Sequence, residues 1–216
     1  MNAWEWIARN IGQLAGATAD HLVLTLLAVS GGLVISFALA LVIRADRRWY
    51  GPLTGVAGTL YTIPSLALFA VLVPVTGLSV LTAEIGLVSY TLLILLRNLV
   101  AGLDAVPPDV REAALAMGLS PVQRLVRVEL PLAMPYLVGG LRVATVTTIG
   151  LVMVTALIGE GGLGQVMLRG FNFRNWTAVY VGAAVTVVLA FAADLLLVGL
   201  GRILTPWARA SQTGGS

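Results

Sequence analysis

Cysteine and lysine are both missing from these 216 residues, histidine occurs once, at His21, and charged residues make up only 11%. Without cysteine there is no disulfide framework and no thiolate metal site. Without lysine there is no Walker-type phosphate loop, so the chain has no ATP-hydrolysing P-loop of its own. No His/carboxylate cluster and no nucleophile elbow occurs in the sequence, so no enzyme constellation is legible. Gly159-Glu160-Gly161-Gly162-Leu163-Gly164 formally satisfies the G-x-G-x-x-G of dinucleotide sites. It follows an apolar helical run rather than a strand, and reads instead as a glycine-rich turn.

What the chain does have is apolar surface. Hydrophobic residues make up 58% and the mean hydropathy is +0.95. A single domain of this length cannot hide that much from water, so lipid must serve as its solvent and an all-α membrane protein is predicted. All thirteen basic residues are arginine, and they flank apolar runs. The high pI therefore belongs to span ends, and no nucleic-acid partner is expected.

Five spans are predicted. Residues 1–20 carry Trp4, Ile7, Ile11 and Leu14 at helical spacing and read as an interfacial segment preceding a transmembrane domain over 21–209, with a flexible tail over 210–216. Leu22 to Ile43 is uncharged and ends at Arg44, Arg47 and Arg48. A second span, between Arg48 and Glu84, is broken by Pro64, which would kink it in mid-membrane and free a carbonyl. Tyr61, Pro64 and Ser65 at that break are the candidate pathway lining. The third span runs from about Leu81 to Leu96, the fourth from Pro135 to about Ile158 and the fifth from Trp176 to about Leu204. The arginine bias between loops predicts the N-terminus outside and the C-terminus cytoplasmic. Arg142 lies seven residues past Pro135 and Asp194 eight before Arg202, at similar depth, so they form a candidate intramembrane ion pair.

The most informative stretch is polar. Residues 104–131 form a predicted cytoplasmic loop, read as two short helices with a tight turn at Gly118. Ser120-Pro121-Val122-Gln123 carries a capping box, and Pro131 is expected to stop the second helix. Ala113, Ala114 and Ala116 leave the first helix thinly covered, so a foreign surface can approach it closely.

This loop resembles the EAA loop of ABC importer permeases. Glu112-Ala113-Ala114, three residues, Gly118, nine residues, Val128, one residue and Leu130-Pro131 match it, with Val128 where the family often has isoleucine. YTIPSLALFAVLVPVTGL, YTLLILLRNLVAGL, ALIGEGGLGQVMLRGF and ADLLLVGLGRILTPWAR extend the likeness to the osmoprotectant importers. The resemblance implies a type I importer permease for glycine betaine, carnitine, choline or a similar solute. It also implies ATPase subunits docked on the loop, a second permease chain, an extracytoplasmic solute-binding protein, surrounding lipid and a bacterial inner-membrane location. It places no cofactor in this chain, with ATP and magnesium on the partner subunit. Methionine-importer permeases are the nearest alternative, and a self-sufficient secondary transporter a remoter one.

Overall fold

The structure, a computed structural model, describes residues 3–207, which are helical with no strand among them. Helix α1 spans Ala3–Ala45, and at about 1.5 Å per residue it is roughly twice as long as a hydrocarbon core is thick. It corrects the expected boundary at residue 20. The interfacial segment is not a separate element but the first turns of α1, with one local break at Asn10 (φ −117°) whose side-chain amide donates to the Trp6 carbonyl at 2.8 Å. The buried face differs in part from the expected one, of which Leu14 alone is fully buried. Trp6 and Leu14 are buried against later helices, whereas Trp4 and Ile11 are exposed.

A short 3₁₀ turn, Arg47–Trp49, leads into α2 (Tyr50–Thr62) and α3 (Ser65–Thr76). These two meet at 97°, a far sharper break than a proline kink within one helix. Ile63 and Pro64 are both extended, so the helix stops and restarts rather than bending. Helix α4 follows at Val80–Asp104, and α5 at Pro108–Ala116. Next come α6 (Pro121–Arg124), a π turn over Leu125–Glu129, and α7 (Leu130–Thr155). The last two are α8 (Leu163–Asn172) and α9 (Trp176–Leu204).

Helices α1 and α4 run parallel. Gly32 lies against Thr91, the Ser36 hydroxyl donates to the Leu92 carbonyl at 3.4 Å, and Arg47 meets Asp104 at 2.7 Å. Since α1 ends where α4 ends, the chain between them must return to the opposite side. The α2–α3 pair is therefore a broken crossing, not a re-entrant loop, and it completes a fifth span beside four long apolar helices. Helix α7 runs against α4, with Gly102 beside Ala133 and Asn98 beside Gly140. Helix α9 runs back along α7, with Gly201 beside Val138. The first and last described residues accordingly lie at opposite ends of the bundle.

Pro131 does not stop a helix. Pro121 to Ile158 is one continuous helical stretch of 38 residues, and Pro131 sits in the first turn of α7. A proline ring clashes with the carbonyl four residues back and lacks an N–H to donate. The widened turn over Leu125–Glu129, closed by Leu130 N–H on the Leu125 carbonyl, accommodates it. The fourth span thus begins before Pro135, which lies inside α7.

Candidate functional site

Six of the arginines gather at one end of the bundle around α5 and α6: Arg44, Arg47, Arg48, Arg111, Arg124 and Arg127. Locally the loop forms as its sequence dictates. Pro107 and Pro108 open α5, and Gly118 closes it at φ +75°, a conformation that other side chains rarely adopt. The Ser120 side chain accepts from Gln123 N–H at 3.3 Å, while Gln123 Oε1 accepts from Ser120 N–H at 2.9 Å, completing the capping box.

The loop is tied to the spans by charge. Glu129 is buried, and its carboxylate accepts from Arg44 Nε at 2.7 Å, Arg44 Nη2 at 3.1 Å and Arg124 Nε at 2.9 Å. Arg111 donates to the Leu103 carbonyl at the C-terminal end of α4, where a cation suits the helix dipole. A cavity of about 350 Å³ opens among Arg44, Arg47, Asp104, Arg111, Arg124 and Glu129. None of these ties was foreseen from sequence. The available signal was Glu129, the lone acid in a segment otherwise charged by arginine.

Among the candidate coupling residues, Glu112, Ala113 and Gly118 are exposed, together with Ala116, Leu115, Met117, Val122 and Val126. Ala114 is not. It is 1% exposed and turned into the protein, where α5 packs against α6 and the π turn. Val128, Leu130 and Pro131 are half-buried at the root of α7, where Leu130 packs on the core formed by Ala40, Leu96 and Leu99. The exposed handle is therefore α5 and the turn after it, and the Leu-Pro end is its anchor.

At the α2–α3 break, Tyr61, Pro64 and Ser65 line a cavity of about 270 Å³ with Tyr90, Thr147 and Leu151. The Leu60 carbonyl, the one Pro64 would orphan, accepts from Ile63 N–H at 3.3 Å. The Ile63 carbonyl accepts from the Tyr90 hydroxyl, and the Tyr61 and Tyr90 rings meet edge to face at 5.9 Å. Sequence reading missed Tyr90.

Arg142 and Asp194 are brought together. Arg142 Nε donates to Asp194 Oδ1 at 2.8 Å and Nη2 to Oδ2 at 2.9 Å, a bidentate pair between α7 and α9.

The end opposite the arginine cluster is shaped by glycines. Gly162 has φ +47°, and a Cβ there would fall 2.4 Å from the Ala17 carbonyl oxygen. This close approach lets α8 dock between α1 and α9 through Leu163 and Val166, packed with Trp6, Leu14, Ala178 and Val181. His21, the single histidine, is fully buried there, with Nε2 2.9 Å from the Ile149 carbonyl oxygen. Phe171 and Trp176 stay exposed, edge to face at 6.0 Å.

A family model described as the binding-protein-dependent transport system inner membrane component matches residues 32–209. The chain belongs to this family. Its inner-membrane location follows, and with it the lipid that the exposed apolar faces require. Among the relatives of this inner membrane component, the osmoprotectant import permease protein OsmW of Salmonella typhimurium is 37% identical over 211 residues, covering 95% of this chain and 98% of that one. The choline transport system permease protein OpuBB of Bacillus subtilis is 31% identical over 202 residues, covering 94% and 93%. The inward-facing MetNI methionine ABC transporter shares the fold, with a TM-score of 0.80 at 22% identity over 91% of this chain and 98% of that one.

Proposed function

We propose that this chain is the permease subunit of an ATP-driven importer of osmoprotectants such as glycine betaine, carnitine or choline. The observation that carries the solute class is near full-length similarity to permeases named for osmoprotectant and choline transport. The exposed apolar surface of α5 and its turn, set among arginines, carries the coupling. With the arginine-rich end cytoplasmic by the positive-inside rule, the N-terminus lies outside and Trp207 inside.

In this reading α5 docks on a separate ATPase subunit, which binds ATP and magnesium. Glu112 and Ala113 meet that partner directly. Ala114, Gly118, Val128, Leu130 and Pro131 hold the handle at its angle, and the Arg44–Glu129–Arg124 cluster passes movement of the handle to α1 and α7. An extracytoplasmic binding protein delivers solute to the opposite end, and a second permease chain completes the path along Tyr61, Pro64 and Ser65. Two sites biasing one bistable element is what such coupling requires.

The methionine importer shares the fold alone, and its lower identity gives that substrate no comparable support. Uptake into proteoliposomes carrying the chain, its neighbouring ATPase and its binding protein tests the reading. ATP-dependent entry of a quaternary ammonium solute, abolished when the ATPase is left out, is the expected result. Uptake driven by an ion gradient without ATPase would contradict it.

A further inference from the structure

The Arg142–Asp194 pair sits where an exposed charge is least tolerable. Arg142 is twelve residues into α7 from Leu130, and Asp194 ten residues before the end of α9 at Leu204. At about 1.5 Å per residue each lies roughly 15–18 Å from the arginine-rich end, near the middle of a hydrocarbon core about 30 Å thick. Yet the side chains are 41% and 28% exposed. They open into a cleft of about 650 Å³ between α7 and α9, lined also by Gly139, Val146, Thr147 and Phe191.

Charged side chains at this depth face protein or water rather than lipid. Thr147 lines both this cleft and the cavity at the α2–α3 break, so the cleft that holds the ion pair adjoins the cavity bordered by Tyr61 and Ser65. Phe191 stands one helical turn before Asp194, on the same face of α9.

We propose that this cleft is a transit site for zwitterionic quaternary ammonium solutes, an inference that rests on the osmoprotectant reading. A solute with a carboxylate and a trimethylammonium group is itself a separated ion pair. As it passes, the Arg142 guanidinium turns to the solute carboxylate in bidentate fashion. The ammonium moves between the Asp194 carboxylate and the ring face of Phe191. One ion pair is exchanged for two, so no charge is stranded at mid-membrane. Arg142 and Asp194 close on each other again when the solute leaves, which keeps the site weak enough to release it.

The test uses the assembled transporter in proteoliposomes, with glycine betaine and choline, which lacks a carboxylate, as probes. Arg142→Gln should lower glycine betaine uptake at least tenfold and choline uptake several-fold less. The joint variant Arg142→Gln/Asp194→Asn should lower both. Gly139→Leu serves where those variants fail to assemble, since a Cβ at Gly139 meets nothing within 4 Å and the leucine narrows the cleft while keeping both charges of the pair. It should block both solutes in a complex that still assembles. Normal uptake by Gly139→Leu, or equal losses of the two solutes in an assembled Arg142→Gln transporter, overturns the transit site while leaving the importer reading intact. A wild-type complex that carries neither solute removes both.

Discussion

Arg44 and Glu129, 85 positions apart in the chain, meet at 2.7 Å where the end of α1 touches the root of α7. Arg124 holds the same carboxylate at 2.9 Å, so one buried acid ties together α1, α6 and α7. The segment after α5 is thereby joined to α1 and the root of α7 by short, charge-assisted hydrogen bonds, beside the apolar packing of Leu125 and Leu130 on the same core.

Replacing Glu129 with glutamine leaves two arginines facing each other over a buried neutral group. Loss of one partner from such a cluster costs about 3 kcal/mol. The variant should melt measurably lower in detergent and retain less ATPase on co-purification. Thermal unfolding followed by fluorescence checks the first, and subunit stoichiometry the second.

Gly118 separates a backbone requirement from a steric one. Its φ is +75°, and a Cβ there meets nothing within 4 Å. Gly118→Asn, which tolerates that conformation, should transport almost normally. Gly118→Val, which pays about 1–2 kcal/mol to adopt it, should reorient the handle. ATP hydrolysis should continue in the valine variant while uptake falls about tenfold, and parallel hydrolysis and flux assays report the split.

The parallel packing of α1 on α4 depends on Gly32, where a Cβ would lie 1.8 Å from Thr91 Oγ1. Gly32→Leu should destabilise the bundle by about 1–3 kcal/mol through overpacking. Gly55→Leu on α2, where a Cβ meets nothing within 4 Å, should leave the melting temperature unchanged.

Tyr90→Phe removes the hydroxyl that satisfies the Ile63 carbonyl at the α2–α3 break. Loss of one such hydrogen bond at a half-buried carbonyl costs about 1 kcal/mol. The variant should lose uptake more than assembly, because the break loosens while the remaining helix contacts persist. Uptake normalised to reconstituted complex measures this.

Local punctuation was legible in the sequence. Ser120 with Gln123, Gly118 and Pro64 act through backbone rules that hold in any surroundings, and each marks the turn, cap or break it predicts. Facing was not legible. In a span both the lipid side and the protein side are apolar, so Trp6 buried and Trp4 exposed carry no difference in pattern. Ala114 points inward and Ala113 outward because α5 packs on α6 and the π turn, contacts that the sequence of α5 alone does not announce. Helix α8 was hidden among glycines, although Leu163, Val166 and Gly170 recur at helical spacing and are its buried face. The depth match of Arg142 and Asp194 was readable because it needs only counting from span ends.

The chain's lack of cysteine makes its central claim directly measurable. With Ala113→Cys as the sole thiol, a membrane-impermeant maleimide should fail to label intact cells. It should label inside-out vesicles stripped of peripheral subunits, and lose that access when the ATPase is added back. Labelling from the cell exterior, or labelling unaffected by the ATPase, would contradict an exposed cytoplasmic handle that borrows its force from a partner.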